Sequence, residues 1–200
     1  MKKTTWLPLV LGTGLGILAG ISLAANIGYT DPSSYSIMVY GIFLLFAFAL
    51  GGPLSALITV IIAVMAAALG GYPAIKDTYD IYPLLLIVNP LANIIAGVVC
   101  GLAYRFVYQR MKMPARLLPW VGIVAAYYII VIWITEVGTR ALIPDAQLMS
   151  GFFEILRASS PQMLSDILIT SVIWIVLPER YRRPLWYEPK PTAPPAEGMA

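Results

Sequence analysis

The chain has 200 residues, 60% of them hydrophobic and 12% charged, and its mean hydropathy of +0.81 lies far outside the range of soluble globular domains. Its sequence reads as an integral membrane protein. Histidine is absent and Cys100 is the one cysteine, which excludes an intrachain disulfide and removes the usual imidazole ligands of zinc and haem, so neither a metal nor a cofactor is expected.

A helix needs roughly 17 to 25 apolar residues to cross a bilayer. Six stretches approach that length: Trp6–Ile27, Tyr35–Leu50, Leu54–Gly71, Pro83–Tyr104, Leu117–Thr135 and Pro161–Leu177. The expected fold is therefore an all-α polytopic membrane protein of six transmembrane helices, spanning residues 1–186. The first stretch carries a small residue at every fourth position, Gly12, Gly16, Gly20, Ala24 and Gly28, which places them along one side of a helix. Such a ridge lets backbones approach closely, so something packs there: another helix of this chain or a partner. The opening "MKK", the apolar run and "SLA" before Ala25 imitate a secretion signal, but the run is long for one and is read as an uncleaved helix.

The second and third stretches are joined by Gly51-Gly52-Pro53, a tight hairpin turn. Lys and Arg alternate between rich and poor connections, as the positive-inside rule requires. Lys2 and Lys3 precede the first span, Arg105, Arg110, Lys112 and Arg116 follow the fourth, and Arg180, Arg182, Arg183 and Lys190 follow the sixth. Both termini are thereby assigned to the cytoplasm of a cell-membrane protein, and nucleic-acid binding is not needed to explain the basic clusters. The proline-rich end, 187–200, reads as a disordered cytoplasmic tail. The longest external loop is Glu136–Ser160. Within it "LMSGFFEILRA" is amphipathic and is expected to lie on the membrane surface or cap the bundle.

Polar side chains inside hydrocarbon are costly and need partners, so those within the spans are the first functional candidates. Asn89 and Asn93 sit one turn apart, and Gly97 and Gly101 continue their stripe toward the cytoplasm; Pro90 removes a backbone donor beside them. This pattern suits either a hydrogen-bonded packing seam or a ligand contact. Asp166 lies about 7 Å past Pro161 if a helix starts there, with Ser165 adjacent and Thr170 at i+4. Its carboxylate is either a ligand group or a helix-start charge favoured by the dipole. Glu136 closes the fifth span and has Arg140 at i+4 as a ready partner. Tyr127, Tyr128 and Trp133 share that span, and Tyr29, Tyr35, Tyr79 and Tyr82 lie at external ends, where aromatic belts or the wall of a small-molecule pocket are both served.

Catalysis has no support. There is no Ser/His/Asp or Cys/His set and no phosphate loop, since "GTGLG" follows no strand and lacks the Lys-Ser/Thr end. The chain is not expected to be an enzyme or to hydrolyse ATP itself.

"GGPLSALITVIIAVMAAALGG" followed by "NPLANIIAGVVCGLAYRF", with "LPERYRRP" near the end, resembles the substrate-binding S components of energy-coupling factor transporters. The matching positions are Gly52-Pro53 and Ala96-Gly97 to Gly101-Leu102-Ala103-Tyr104. The resemblance implies a six-helix subunit that captures a vitamin-like small molecule and works with a transmembrane coupling protein and ATPase subunits. It implies substrate contacts at Asn89, Asn93, Glu136 and Asp166, and partner docking through Gly16, Gly20 and Ala24. The same glycine-rich pattern also resembles the membrane sensor domains of autolysis-type histidine kinases. A non-catalytic subunit of a larger membrane assembly, needing only this topology and small-residue seams, is a third class.

Overall fold

The computed structural model describes residues 6–25, 28–31, 35–70, 84–142 and 152–185. Its elements in chain order are α1 (Trp6–Ala24), strands β1 (Gly28–Asp31) and β2 (Tyr35–Met38), α2 (Tyr40–Phe46) continuing as a π-helical turn (Ala47–Gly51), α3 (Gly52–Gly70), α4 (Leu85–Arg110), α5 (Leu117–Leu142), α6 (Phe152–Val176) and a short α7 (Glu179–Arg182). Runs of mostly aliphatic residues make these helices, Asp166 of α6 being the one charge near a helix centre among the described residues, and their backbone groups are satisfied within each segment, as hydrocarbon demands. Among the described residues, Tyr40–Ala66, Leu86–Arg110, Leu117–Ala141 and Phe152–Val176 are long and apolar enough to cross a membrane, and Trp6–Ser22 is a shorter apolar helix. The fold is an all-α polytopic membrane protein with one short hairpin.

The run Tyr40–Ala66 is not one straight rod. Gly52 has φ 72°, a conformation that favours glycine, and the chain reverses there. The neighbours establish the reversal. Gly41, at the start of α2, lies against Asp166 of α6, whereas Gly51 at the end of the π turn lies against Leu11 near the start of α1. From there α3 runs from Ser55 beside Gly12 to Ala66 beside Gly20, so α1 and α3 are parallel and α2 descends between their ends. Contacts between Cys100 and Ile123 and between Gly138 and Val88 make α4 and α5 antiparallel; Trp120 with Thr170 and Tyr128 with Asp166 do the same for α5 and α6. Among the described residues six helical segments alternate in direction, and the start of α1 and the end of α6 share one end of the bundle. Arg105, Arg110, Arg116, Arg180, Arg182 and Arg183 also gather there, the distribution the positive-inside rule gives to a cytoplasmic face.

The glycine ridge of α1 is a seam within the chain. A Cβ at Gly12 would stand 2.7 Å from Ser55 Cα, at Gly16 3.0 Å from Thr59 Cα, and at Gly20 2.4 Å from Ala66 Cβ. The Thr59 hydroxyl crosses the seam, 3.0 Å from the Gly12 carbonyl and 2.7 Å from its own helix at Ser55. Along Gly16 and Gly20, expected to dock a partner, α3 of this chain fills the space that the missing side chains leave. Ala24 closes α1, but its surroundings lie outside the described residues, as does the tail 187–200.

Three span boundaries move. Tyr35–Leu50 is a helix only from Tyr40, because Tyr35–Met38 pairs antiparallel with Gly28–Asp31 in the register Gly28↔Met38 to Asp31↔Tyr35. Glu136 does not end a span, since α5 continues to Leu142. Pro161 does not begin one either. It sits inside α6, and the stretch from Phe152, expected on the membrane surface, forms that helix's first turns. The missing proline N–H would have bonded the Arg157 carbonyl; the Ser160 hydroxyl donates to it instead at 2.7 Å, so the helix passes through.

Candidate functional site

α6 buries a stripe at i, i+4 spacing: Gln162, Asp166, Thr170 and Trp174. One face of α6 therefore carries an amide, a carboxylate, a hydroxyl and an indole into the bundle. Counted from Phe152, Asp166 lies fourteen residues along α6, about 21 Å, rather than near its start. It is 1% exposed.

A carboxylate at that depth requires donors, and the bundle supplies them. Tyr128 Oη donates to Oδ2 at 2.5 Å, and Gln162 Nε2 donates to Oδ1 at 2.9 Å from one turn outward. The fourth wall is Gly41, where a Cβ would stand 2.2 Å from Oδ2 and 3.3 Å from the Tyr128 hydroxyl. Only a residue without a side chain lets α2 close over the carboxylate. One turn inward, Thr170 Oγ1 donates to the Asp166 carbonyl at 2.5 Å and accepts from Trp120 Nε1 at 2.9 Å.

A second pair lies beside this cluster. Tyr127 donates its hydroxyl to Asn93 Oδ1, and Asn93 Nδ2 donates to the Asn89 carbonyl at 2.8 Å. The Tyr127 and Tyr128 rings meet edge-on at 5.5 Å, so the α4 amide and the α6 carboxylate are joined through adjacent tyrosines of α5. Phe48 of the π turn packs on Tyr127 at 5.4 Å and fills the space over Gly97 and Gly101. On the glycine half of the α4 stripe Gly97 receives the Phe48 ring and Gly101 the Phe48 backbone, while the amide half receives a tyrosine.

Of the four expected substrate contacts, Asp166 and Asn93 come together in this network, and Asn89 enters it through its backbone carbonyl. Glu136 stands apart. Its carboxylate pairs with Arg140 at 2.7 Å on the same helix, two turns outward of Tyr128. Sequence reading passed over Gln162 and Gly41 and assigned Tyr127 and Tyr128 to an aromatic belt or pocket wall. Gln162 had a signal, its i−4 spacing from Asp166; Gly41 had none, because its neighbour comes from a helix far along the chain.

Comparison with protein-family models, with curated proteins and with solved structures finds no match. The chemistry of the site must therefore speak alone. It offers a carboxylate, two phenols and two amides, a set able to receive hydrogen-bond donors and one cationic or polar group. Among the described residues no group of three or more His, Cys, Asp or Glu is placed to hold a metal. Outward of the carboxylate, β2 packs against α6, so the hairpin covers the side of the cluster opposite the basic end.

Proposed function

We propose that this chain is the membrane-embedded capture subunit of an uptake system, an S component of the energy-coupling factor type, taking a vitamin-like small molecule from outside a cell membrane. Its coupling protein and ATPases are separate chains. The observation that carries this reading is a buried carboxylate cluster at mid-bundle roofed by the β1–β2 hairpin where α2 begins late. A helical second span would have filled that side permanently; a two-stranded flap is a smaller barrier. In this reading the hairpin swings from α6, the ligand's polar group replaces Tyr128 or Gln162 on Asp166, and the hairpin closes over it. Reorientation follows when the partner binds the loaded form better than the empty one.

One observation favours a non-catalytic assembly subunit instead: both carboxylate oxygens of Asp166 already have donors within the chain. The two readings separate in one experiment. Native mass spectrometry of the protein purified in mild detergent should reveal a small molecule that is lost in Asp166→Asn and in Asn93→Ala while the fold survives. Purification in fixed stoichiometry with other subunits, with no small molecule bound, would select the assembly reading.

A further inference from the structure

At the basic end of the bundle Tyr104, Arg116, Trp120, Trp174 and Arg182 line a recess of about 10 Å³, room for one water-sized group. Its floor is aromatic. Tyr104 stacks on Trp174 at 5.1 Å, and Trp120 meets both edge-on. Its rim is cationic: Arg116 and Arg182 both reach Glu179, at 2.6 and 3.1 Å, which leaves two guanidinium groups against one carboxylate. Arg180 and Arg183 follow in the same short segment.

The hydrogen-bond inventory of this recess is unbalanced. Trp120 Nε1 is taken by Thr170, and the Arg182 terminal nitrogens by Glu179 and the Ile175 carbonyl at 2.9 Å. Among the described residues, Trp174 Nε1 and Arg182 Nε are buried with no hydrogen-bond partner, and Trp174 is only 2% exposed. Native proteins rarely leave two buried donors in one place without an acceptor. A water would satisfy the donors but not the surplus positive charge.

We propose that the recess binds a phosphodiester oxygen of an anionic lipid headgroup from the leaflet at the basic end. The position suits it, since basic side chains at that level of a bundle face headgroups. Both orphan donors belong to residues that line the recess, and charge-assisted bonds from such donors to an oxyanion are the strong kind. This inference stands independently of the uptake reading.

The test is native mass spectrometry of the full chain in mild detergent, titrated with phosphatidylglycerol or with phosphatidylcholine. One phosphatidylglycerol should be retained about tenfold more tightly than phosphatidylcholine. Trp174→Phe keeps an aromatic ring at the site but removes the donor along with part of the indole's volume; Arg182→Lys keeps the charge but removes Nε along with the guanidinium fork that reaches Glu179 and the Ile175 carbonyl. Each should weaken retention about tenfold, the worth of one charge-assisted hydrogen bond, with the thermal midpoint unchanged to show that the fold persists. Should Trp174→Phe fail to fold, Arg182→Lys decides. Equal retention of the two lipids, or retention untouched by the variants, would overturn the proposal. Displacement of the lipid by excess inorganic phosphate would also overturn it, by assigning the recess to a soluble anion.

Discussion

Two seams of this bundle are built on opposite principles. α1 and α3 meet through glycines, with helix backbones nearly touching and the Ser55 and Thr59 hydroxyls between them; α5 and α6 meet through side chains, with Tyr128 on Asp166 and Trp120 on Thr170. Lipid is as apolar as leucine, so neither seam gains from removing apolar surface from water, and each must find specificity elsewhere. The first finds it in shape and the second in hydrogen bonds. The shape seam has no spare volume but little chemistry, whereas the polar seam has the chemistry that a ligand could use.

The comparison breaks most visibly through volume. Gly12→Leu places its Cβ against the Ser55 backbone, which cannot step aside, and should cost about 3 kcal/mol or more. Gly14 is two residues away with open space where a Cβ would stand, so Gly14→Leu should change the unfolding midpoint hardly at all. Equal effects of the two in detergent unfolding experiments would dissolve the glycine seam. Next comes chemistry. Asp166→Ala removes the acceptor of both Tyr128 and Gln162 and should cost roughly 2 kcal/mol, because two buried donors lose their partner. Asp166→Asn, similar in shape, should cost less. A smaller loss, about 0.6 kcal/mol, is expected for Tyr127→Phe, the usual worth of one interhelical hydrogen bond in a membrane. An Asp166→Ala protein as stable as the wild type would mean that the carboxylate is held for function alone.

Much of the framework was legible from the sequence, and the misses have physical causes. Length and hydropathy located the apolar helices of a polytopic membrane protein, and spacing marked the glycine ridge as a place of close approach. Spacing states how near a neighbour can come but not which helix it belongs to, so the choice of α3 over a partner required tertiary structure. Tyr35–Met38 belongs to an apolar run with aromatic and aliphatic residues, which periodicity alone does not divide between strand and helix. Pro161 signalled a helix start, and the Ser160 hydroxyl beside it supplied the donor that made an interior proline tolerable. Asp166 and Asn93 were legible as polar groups in hydrocarbon. Their tyrosine partners were visible only as aromatics, because which way a ring points depends on the rotation of its helix in the bundle.

The smallest expected effect lies outside the hydrocarbon, where water screens the contacts. At the basic end Glu179 accepts from Arg116 at 2.6 Å and from Arg182 at 3.1 Å, and the carboxylate side chain is 53% exposed. Partial burial raises its pKa, but the Arg116 hydrogen bond and the charges of Arg116 and Arg182 outweigh that and hold it below the ordinary carboxylate value. A carboxyl whose folded-state pKa is depressed contributes stability above its unfolded value, about 4.3 for Glu, and loses it as pH falls through the folded value. The unfolding midpoint should therefore hold level near neutrality and decline in acid, with Glu179→Gln removing part of that decline. Raising the salt should shrink the Glu179 contribution, as it does for exposed pairs, while leaving the cost of Asp166→Ala unchanged. If salt diminished both alike, the Asp166 cluster would be solvated rather than buried, and the contrast between a polar seam sealed in the bundle and a screened ion pair at its edge would fail.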